Sequence, residues 1–511
     1  MPRALPPSTW DDTVDVIVVG AGYAGCVAAL AAHDAGARVR LLEKAANPGG
    51  ISICSAGGVR MADDADEALA YLRATNNGSI DDGVLRALAN GMTEIPQQIG
   101  ELARLCGADV GRRESAGNYP YPGHRTFGFV SIDAVPNFDA ERAYPHVRGS
   151  PAGARLFRVL EANLEQRGIE VHTSTAAQRL YTGDSGTVVG LLAEGPGGAT
   201  TVRARRGVVL ACGGFEGDAR MQQEYWQARP VLSAAYRANT GDGIRMAQDL
   251  GAALWHMWHY HGSYGFKHPD PAYPFAIRTK RVPDWLPGVG PPEDARMPWI
   301  LLDRSARRFM NEYEPYLQDT GARPFDRFVP ERQEFAALPA WLIADETGRQ
   351  AYAFGRPTYN EPGVAFSWSA DNLREVDIGL LGRAADLPQL ARAIGVEEAV
   401  LVEAISRWNA ACANGRDGDF GRPPSSMARI DEPPFYYAPV WPVVSNTQGG
   451  PVHDAKQRIV DVFGDPIPRL YAAGEMGSAF GFLYMSGGNL AECFFGGRIA
   501  GRNAAAEPAI R

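Results

Sequence analysis

Apolar residues come in blocks along this chain. Asp15 to Val19 (DVIVV) is a short β-branched run, which predicts a buried parallel strand, and Ala24 to Ala35 predicts a helix packed close behind it. A second strand, Ala37 to Leu42, follows at once and ends on an acid, Glu43. Strand, helix and strand in this order predict the α/β class with a parallel sheet. Between about 262 and 432 the pattern changes. A stretch rich in proline and aromatics, His268 to Trp299, opens this region. Leu387 to Ala413, with helical periodicity, leads into the loop NGRDGDFGRPP that closes it. It carries no nucleotide motif, and no internal repeat suggests a solenoid.

Composition narrows the class. A chain of 511 residues with 45% hydrophobic and 21% charged residues is an ordinary globular protein of several domains. Its formal charge of −9 argues against a broad nucleic-acid or anionic-membrane surface, which needs clustered cations. The six cysteines form no CxxC pair, so they read as buried thiols of a reducing compartment, and a cytoplasmic protein is expected. The N-terminal MPRALPPSTWDD has no apolar core for a signal peptide, and Val16 to Ala32 is short for a membrane span. Glycine stands out: 58 residues, about 11% against a usual level of roughly 7%.

The first of these glycines have an evident use. Gly20, Gly22 and Gly25 form GxGxxG, with Tyr23 and Ala24 inside it, between the first strand and the first helix. The first glycine allows the tight turn, the second lets a pyrophosphate approach the backbone, and the third lets helix and strand touch. The helix N-terminus then faces the phosphates, and Glu43 can accept from ribose hydroxyls. A second small-residue run, Gly49 to Gly58 (GGISICSAGG), comes directly after the ribose acid.

With that second run the sequence resembles the fumarate reductase and 3-ketosteroid dehydrogenase superfamily of FAD flavoproteins. The resemblance continues in order through Gly207–Gly214 (GVVLACGG), Asn239–Gly243 (NTGDG), Leu470–Glu475 (LYAAGE) and Ser486–Asn489 (SGGN). It implies a Rossmann-like FAD-binding domain of the glutathione reductase type, residues 1–261 plus 433–511. An inserted α+β capping substrate domain, 262–432, is implied with it. The positions that it assigns to FAD begin with Gly20, Gly22, Tyr23, Ala24, Gly25, Glu43, Lys44, Gly50, Ile51, Ser52, Ser55, Gly57 and Gly58. Ala211, Gly213, Gly214, Asp242, Gly474, Glu475, Ser486, Gly487, Asn489 and Leu490 complete them. Ile51 stands near the place where covalently flavinylated relatives carry histidine, so the expected FAD is non-covalent.

The branch is decided at a few positions. Where the fumarate reductase branch delivers a proton from an arginine after the cap motif NE, this chain has Asn311, Glu312 and then Tyr313 and Tyr316. No arginine precedes Gly487 and Gly488 either, so the clamps for a dicarboxylate are missing. Tyr484 and Gly488 have the spacing of the ketosteroid dehydrogenase branch, which implies that the Tyr484 hydroxyl and the Gly488 amide donate to a ketone oxygen. Tyr316 is then the implied base. A helper tyrosine from an early segment is Tyr119 or Tyr121.

The expected activity is FAD-dependent desaturation α,β to a ring ketone, with hydride passing to the flavin. A 3-ketosteroid (1- or 4(5α)-dehydrogenation) is the first substrate expected. A small ring such as cyclohexanone or 4-oxocyclohexanecarboxylate is the alternative, with cap arginines such as Arg278 and Arg281 to hold a carboxylate. A fumarate- or urocanate-type enoate reductase is a further alternative, and a flavin-storing or electron-carrying protein is the reading from another class. No CxxCH haem motif occurs, so electrons are expected to leave to a quinone, a dye, oxygen or a separate protein. His256, His259 and His261 have spacings that line no one helix face, and no metal is expected.

Overall fold

The computed structural model describes residues 5–280, 296–313 and 316–510. Its first sheet runs in the order Arg458–Val460, Pro466–Ala472, Gly198–Leu210, Asp12–Val19, Val39–Leu42, Val171–His172. Asp12–Val19 lies between two parallel partners, Gly198–Leu210 and Val39–Leu42, and from Val14 onward all its residues are buried. That placement explains the unbroken apolar run: a strand covered on both faces has no reason to alternate. Helices Tyr23–Asp34 and Gly488–Ala506 pack against each other over this sheet.

A second sheet has the order Ile300–Leu302, Ala340–Ala344, Phe435–Val444, Tyr264–Lys267, Ala276–Thr279, Gly355–Arg356. It holds the inserted region, and it reaches past the expected limits of 262 and 432. Phe435–Val444 is one of its inner strands and also pairs with Leu232–Ser233 and Gly382–Ala384. The helical stretch expected over Leu387–Ala413 is two helices, Leu387–Ile394 and Glu398–Ala413. Gly395 at φ 73° ends the first of them, a left-handed C-cap that glycine adopts without cost. Arg281 lies outside the described residues.

Several glycines serve packing. A Cβ at Gly25 would overlap the carbonyl oxygen of Gly20. In the C-terminal helix, a Cβ at Gly497 would stand 2.6 Å from the Ala24 carbonyl oxygen, and one at Gly501 would overlap that of Ala28. Replacing Gly501 by valine is therefore expected to cost about 1–3 kcal/mol by overpacking. A lowered midpoint in thermal melts, together with weaker flavin retention, checks this.

Candidate active site

One continuous cavity of about 350 Å³ runs from the glycine turn to the inner face of the second sheet. That volume falls within the usual range for cofactor and ligand sites. Gly20, at φ +100°, backs onto the Ala211 carbonyl where a Cβ would stand, so the bare backbone faces the cavity. Glu43 is fixed at its edge: its two carboxylate oxygens accept from the Ala21 and Ala45 amides, each at 2.9 Å. Lys44 Nζ donates to Thr240 Oγ1 at 2.7 Å and pairs with Asp242 at 2.6 Å, which ties the end of the second strand to the NTGDG turn. Of the residues assigned to FAD from sequence, all border the cavity except Gly25, Gly57, Gly214 and Gly474. Those four lie where a Cβ would strike the Gly20 carbonyl, the Ala152 carbonyl, the Thr447 side chain and the Ala24 Cβ. Ile51 presents hydrocarbon to the cavity and has no group that could bond a flavin.

A pair of buried carboxylates lies at the middle, one of them on the cavity wall. Glu475 borders the cavity, and its Oε1 accepts from the Thr447 amide at 2.7 Å. Glu216 lies beside it and receives Asn239 Nδ2 at 2.7 Å. Burial, and for Glu216 the neighbouring charge of Glu475, raise both carboxyls above the usual range, so the pair favours holding a proton.

At the cap end two phenols flank an imidazole. Tyr484 packs on His261 with ring centroids 4.3 Å apart and planes tilted by 52°, and the Tyr316 hydroxyl lies 3.5 Å from His261 Nε2. His261 Nδ1 is 3.1 Å from Asn446 Oδ1, while Asn446 Nδ2 donates to Asn489 Oδ1 at 2.8 Å. Asn489 Nδ2 in turn donates to Glu492 Oε2 at 2.9 Å. This chain of amides assigns the proton to Nδ1 and leaves Nε2 as an acceptor towards Tyr316. Burial pulls His261 down to about 4, so the ring is neutral at ordinary pH. Burial pushes Tyr484 well above its ordinary value and keeps it protonated, while the Asn489 amide donates to its oxygen at 3.4 Å.

Three sequence expectations meet different surroundings. The Tyr119 hydroxyl donates to Asp319 Oδ2 at 2.6 Å. Tyr121 is 38% exposed, and neither tyrosine borders the cavity. One neighbour of Tyr316 is His261, which the sequence grouped with His256 and His259 and left without a role. The Gly488 amide donates to the Met485 carbonyl at 2.8 Å within the turn that opens the last helix, so it does not face the cavity. The three histidines have separate partners: His256 meets the Gln448 and Ser478 carbonyls, His259 meets Asp319 and the Phe480 carbonyl, and His261 meets Asn446 and Tyr316.

A parallel sheet with a glycine turn at its carboxyl edge, an acid on the next strand and a second sheet over the cavity defines a flavoprotein. Residues 15–490 match the FAD binding domain family, and the chain belongs to it. It is a flavin-dependent oxidoreductase with FAD as its cofactor. It is 27% identical to the fumarate reductase (cytochrome) of Shewanella frigidimarina, over 98% of this chain and 79% of that protein. It is 28% identical to 4-oxocyclohexanecarboxylate 2-dehydrogenase of Sinomonas cyclohexanicum, over 97% of this chain and 94% of that protein. The fold matches 3-ketosteroid Δ1-dehydrogenase from Sterolibacterium denitrificans with a TM-score of 0.80, at 24% identity over 97% of this chain and 100% of that one. Among the described residues no helix is long and apolar enough to cross a membrane.

FAD supplies a two-electron acceptor when bound. The residues that would hold it border the cavity: backbone at Gly20 and Gly22 would take the pyrophosphate, Glu43 the ribose, and the turn at Ser486–Gly487 the flavin end. Replacing Glu43 by glutamine turns an amide NH2 towards one of two buried backbone donors. FAD affinity is expected to fall by about tenfold or more, measured by titrating apoprotein with FAD.

Proposed function

We propose that this flavoenzyme is a dehydrogenase that introduces a carbon–carbon double bond α,β to the ketone of a ring substrate. A 3-ketosteroid and a smaller cyclic ketone are both members of that class. The observation that carries the reading is the meeting of Tyr316, His261 and Tyr484 at the cap end of the FAD cavity. A ring ketone needs one donor at its oxygen and one base at its α carbon. Tyr484 has the environment of a donor, because burial keeps its proton on and the Asn489 amide, bonding to the phenol oxygen, makes that proton a better one to share.

Tyr316 is the base in this reading. An isolated phenol, with a pKa of about 10, is mostly protonated at neutral pH. The neutral Nε2 of His261 takes that proton as the phenol oxygen takes the α proton, so no ionised tyrosine has to persist. Enolate charge then gathers on the ketone oxygen against the Tyr484 hydroxyl, and the β hydrogen departs with its electron pair. Relatives named for desaturation of ring ketones support the same chemistry.

With anaerobic holoenzyme, a ring ketone that is a substrate bleaches the flavin. Tyr484→Phe and Tyr316→Phe are each expected to slow that bleaching by about 100-fold or more while FAD stays bound. Unchanged rates in both would overturn the proposal in favour of an electron carrier, and rapid turnover of fumarate with a reduced viologen would favour an enoate reductase.

His261 gives a separate prediction from pH. The groups facing it are Tyr316, Tyr484, Asp319, His259 and Arg278. Because its folded value is about 4, Nε2 is open above that pH and becomes protonated below it. Wild-type bleaching is expected to fall as pH drops through that region. In His261→Gln the rate at neutral pH is expected to drop and to climb as the pH is raised. A profile with an unchanged shape would remove His261 from the proton path.

A further inference from the structure

Arg60 is a cation enclosed behind the turn that opens the last helix. It lies on the short strand Val59–Ala62, opposite Phe129 in an antiparallel pair, and is fully buried. Its Nε donates to the Ser486 carbonyl at 2.7 Å, and its Nη1 donates to the Ser115 carbonyl at 2.9 Å. Its backbone amide donates to the Gly487 carbonyl at 3.2 Å, and its guanidinium carbon stands 3.9 Å from the centre of the Phe129 ring. Ser486, Gly487 and Phe129 border the cavity, so the guanidinium is fastened directly to the cavity wall.

What this guanidinium lacks is an anion. Its Nη2 is buried and has no hydrogen-bond partner, and among the described residues no carboxylate pairs with it. The ionisable groups that face it are the phenols of Tyr71, Tyr316 and Tyr484 and a second cation, Arg113. Burial pulls Arg60 down to about 10, which leaves it charged at neutral pH. A buried cation without a counter-charge is unfavourable, and negative charge arriving close by in a medium of low dielectric relieves it. Oxidised flavin has a neutral ring; uptake of two electrons and one proton leaves one negative charge on it.

We propose that Arg60 is the internal counter-charge for reduced FAD, raising the flavin's potential from behind the Ser486–Gly487 turn without touching substrate. The proposal needs bound FAD alone, so it stands or falls apart from the ring-ketone reading. The test is a reducing titration of anaerobic holoenzyme with xanthine and xanthine oxidase against a reference dye, with no substrate present. Wild-type FAD is expected to lie above the potential of free FAD. Arg60→Gln keeps an amide that can donate to the Ser486 carbonyl and removes the charge. Its equilibrium constant for two-electron reduction is expected to fall about tenfold or more, a drop of about 30 mV.

Arg60→Lys separates charge from bonding. Lysine keeps the cation but not the planar fork, and its constant is expected to stay within about threefold of wild type. An arginine that served only to hold the two carbonyls would shift both variants alike, since neither reproduces its geometry. Equal potentials in wild type and Arg60→Gln, or an equal drop in both variants, would overturn the proposal. Should Arg60→Gln fail to retain FAD, wild type and Arg60→Lys decide, and a potential at or below that of free FAD in either would overturn it.

Discussion

The contact on which the rest depends is backbone against backbone between the first and last helices. Gly497 and Gly501 let the C-terminal helix sit on the carbonyls of Ala24 and Ala28 with no side chain between. That approach helps set the distance from the GxGxxG turn to Ser486–Asn489, two segments far apart in sequence that both contribute to the cavity lining. Close approach of this kind transmits position well because packed backbone has no rotamers to absorb an error. Part of the glycine excess is therefore a matter of helix packing, and only part of it is bare backbone offered to a cofactor.

A buried polar cluster performs the same service for the cap. Asp319 accepts from the Tyr119 hydroxyl at 2.6 Å and from the Tyr484 amide at 2.9 Å, and it faces His259 Nε2 at 3.0 Å. Burial would raise this carboxyl, but the bond and charge of His259, the charge of Arg323 and the Tyr119 bond hold it below its ordinary value. One carboxylate thus joins an early loop, the cap and the segment before the last helix. Removing a single partner from such a cluster leaves a buried charge uncompensated, which is more costly than the cluster's net contribution. Tyr119 belongs to this support through its bond to Asp319.

How far the sequence disclosed this depends on how local each feature is. The dinucleotide end was legible because GxGxxG, its flanking strands and Glu43 are within a few residues of one another and each has a geometric reason. The cap end was legible for Tyr484 and Tyr316 through resemblance alone. His261 was not, because its meaning comes from Asn446 and Tyr316, which are far along the chain, and three histidines in WHMWHYH suggest metal before they suggest a proton acceptor. Gly488 had the right spacing from Tyr484, but the turn that starts the last helix uses its amide internally. Phe435–Val444 follows the insert in sequence yet pairs within its sheet, a long-range pairing that no local pattern signals.

In the proposed reaction two tyrosines a few ångströms from one imidazole take opposite parts, and environment alone separates them. Tyr484 is enclosed, receives an amide N–H on its oxygen and has only ring-to-ring contact with His261, so its proton stays available for sharing. Tyr316 faces the lone pair of the same ring. A neutral histidine between them therefore acts on one phenol as a base and on the other as a wall. The tautomer that makes this possible is dictated from the far side by Asn446, Asn489 and Glu492, on elements that also frame the flavin end of the cavity. Proton acceptance at the cap and cofactor binding at the first sheet are thus held by one hydrogen-bonded chain, and a change in either is felt by the other.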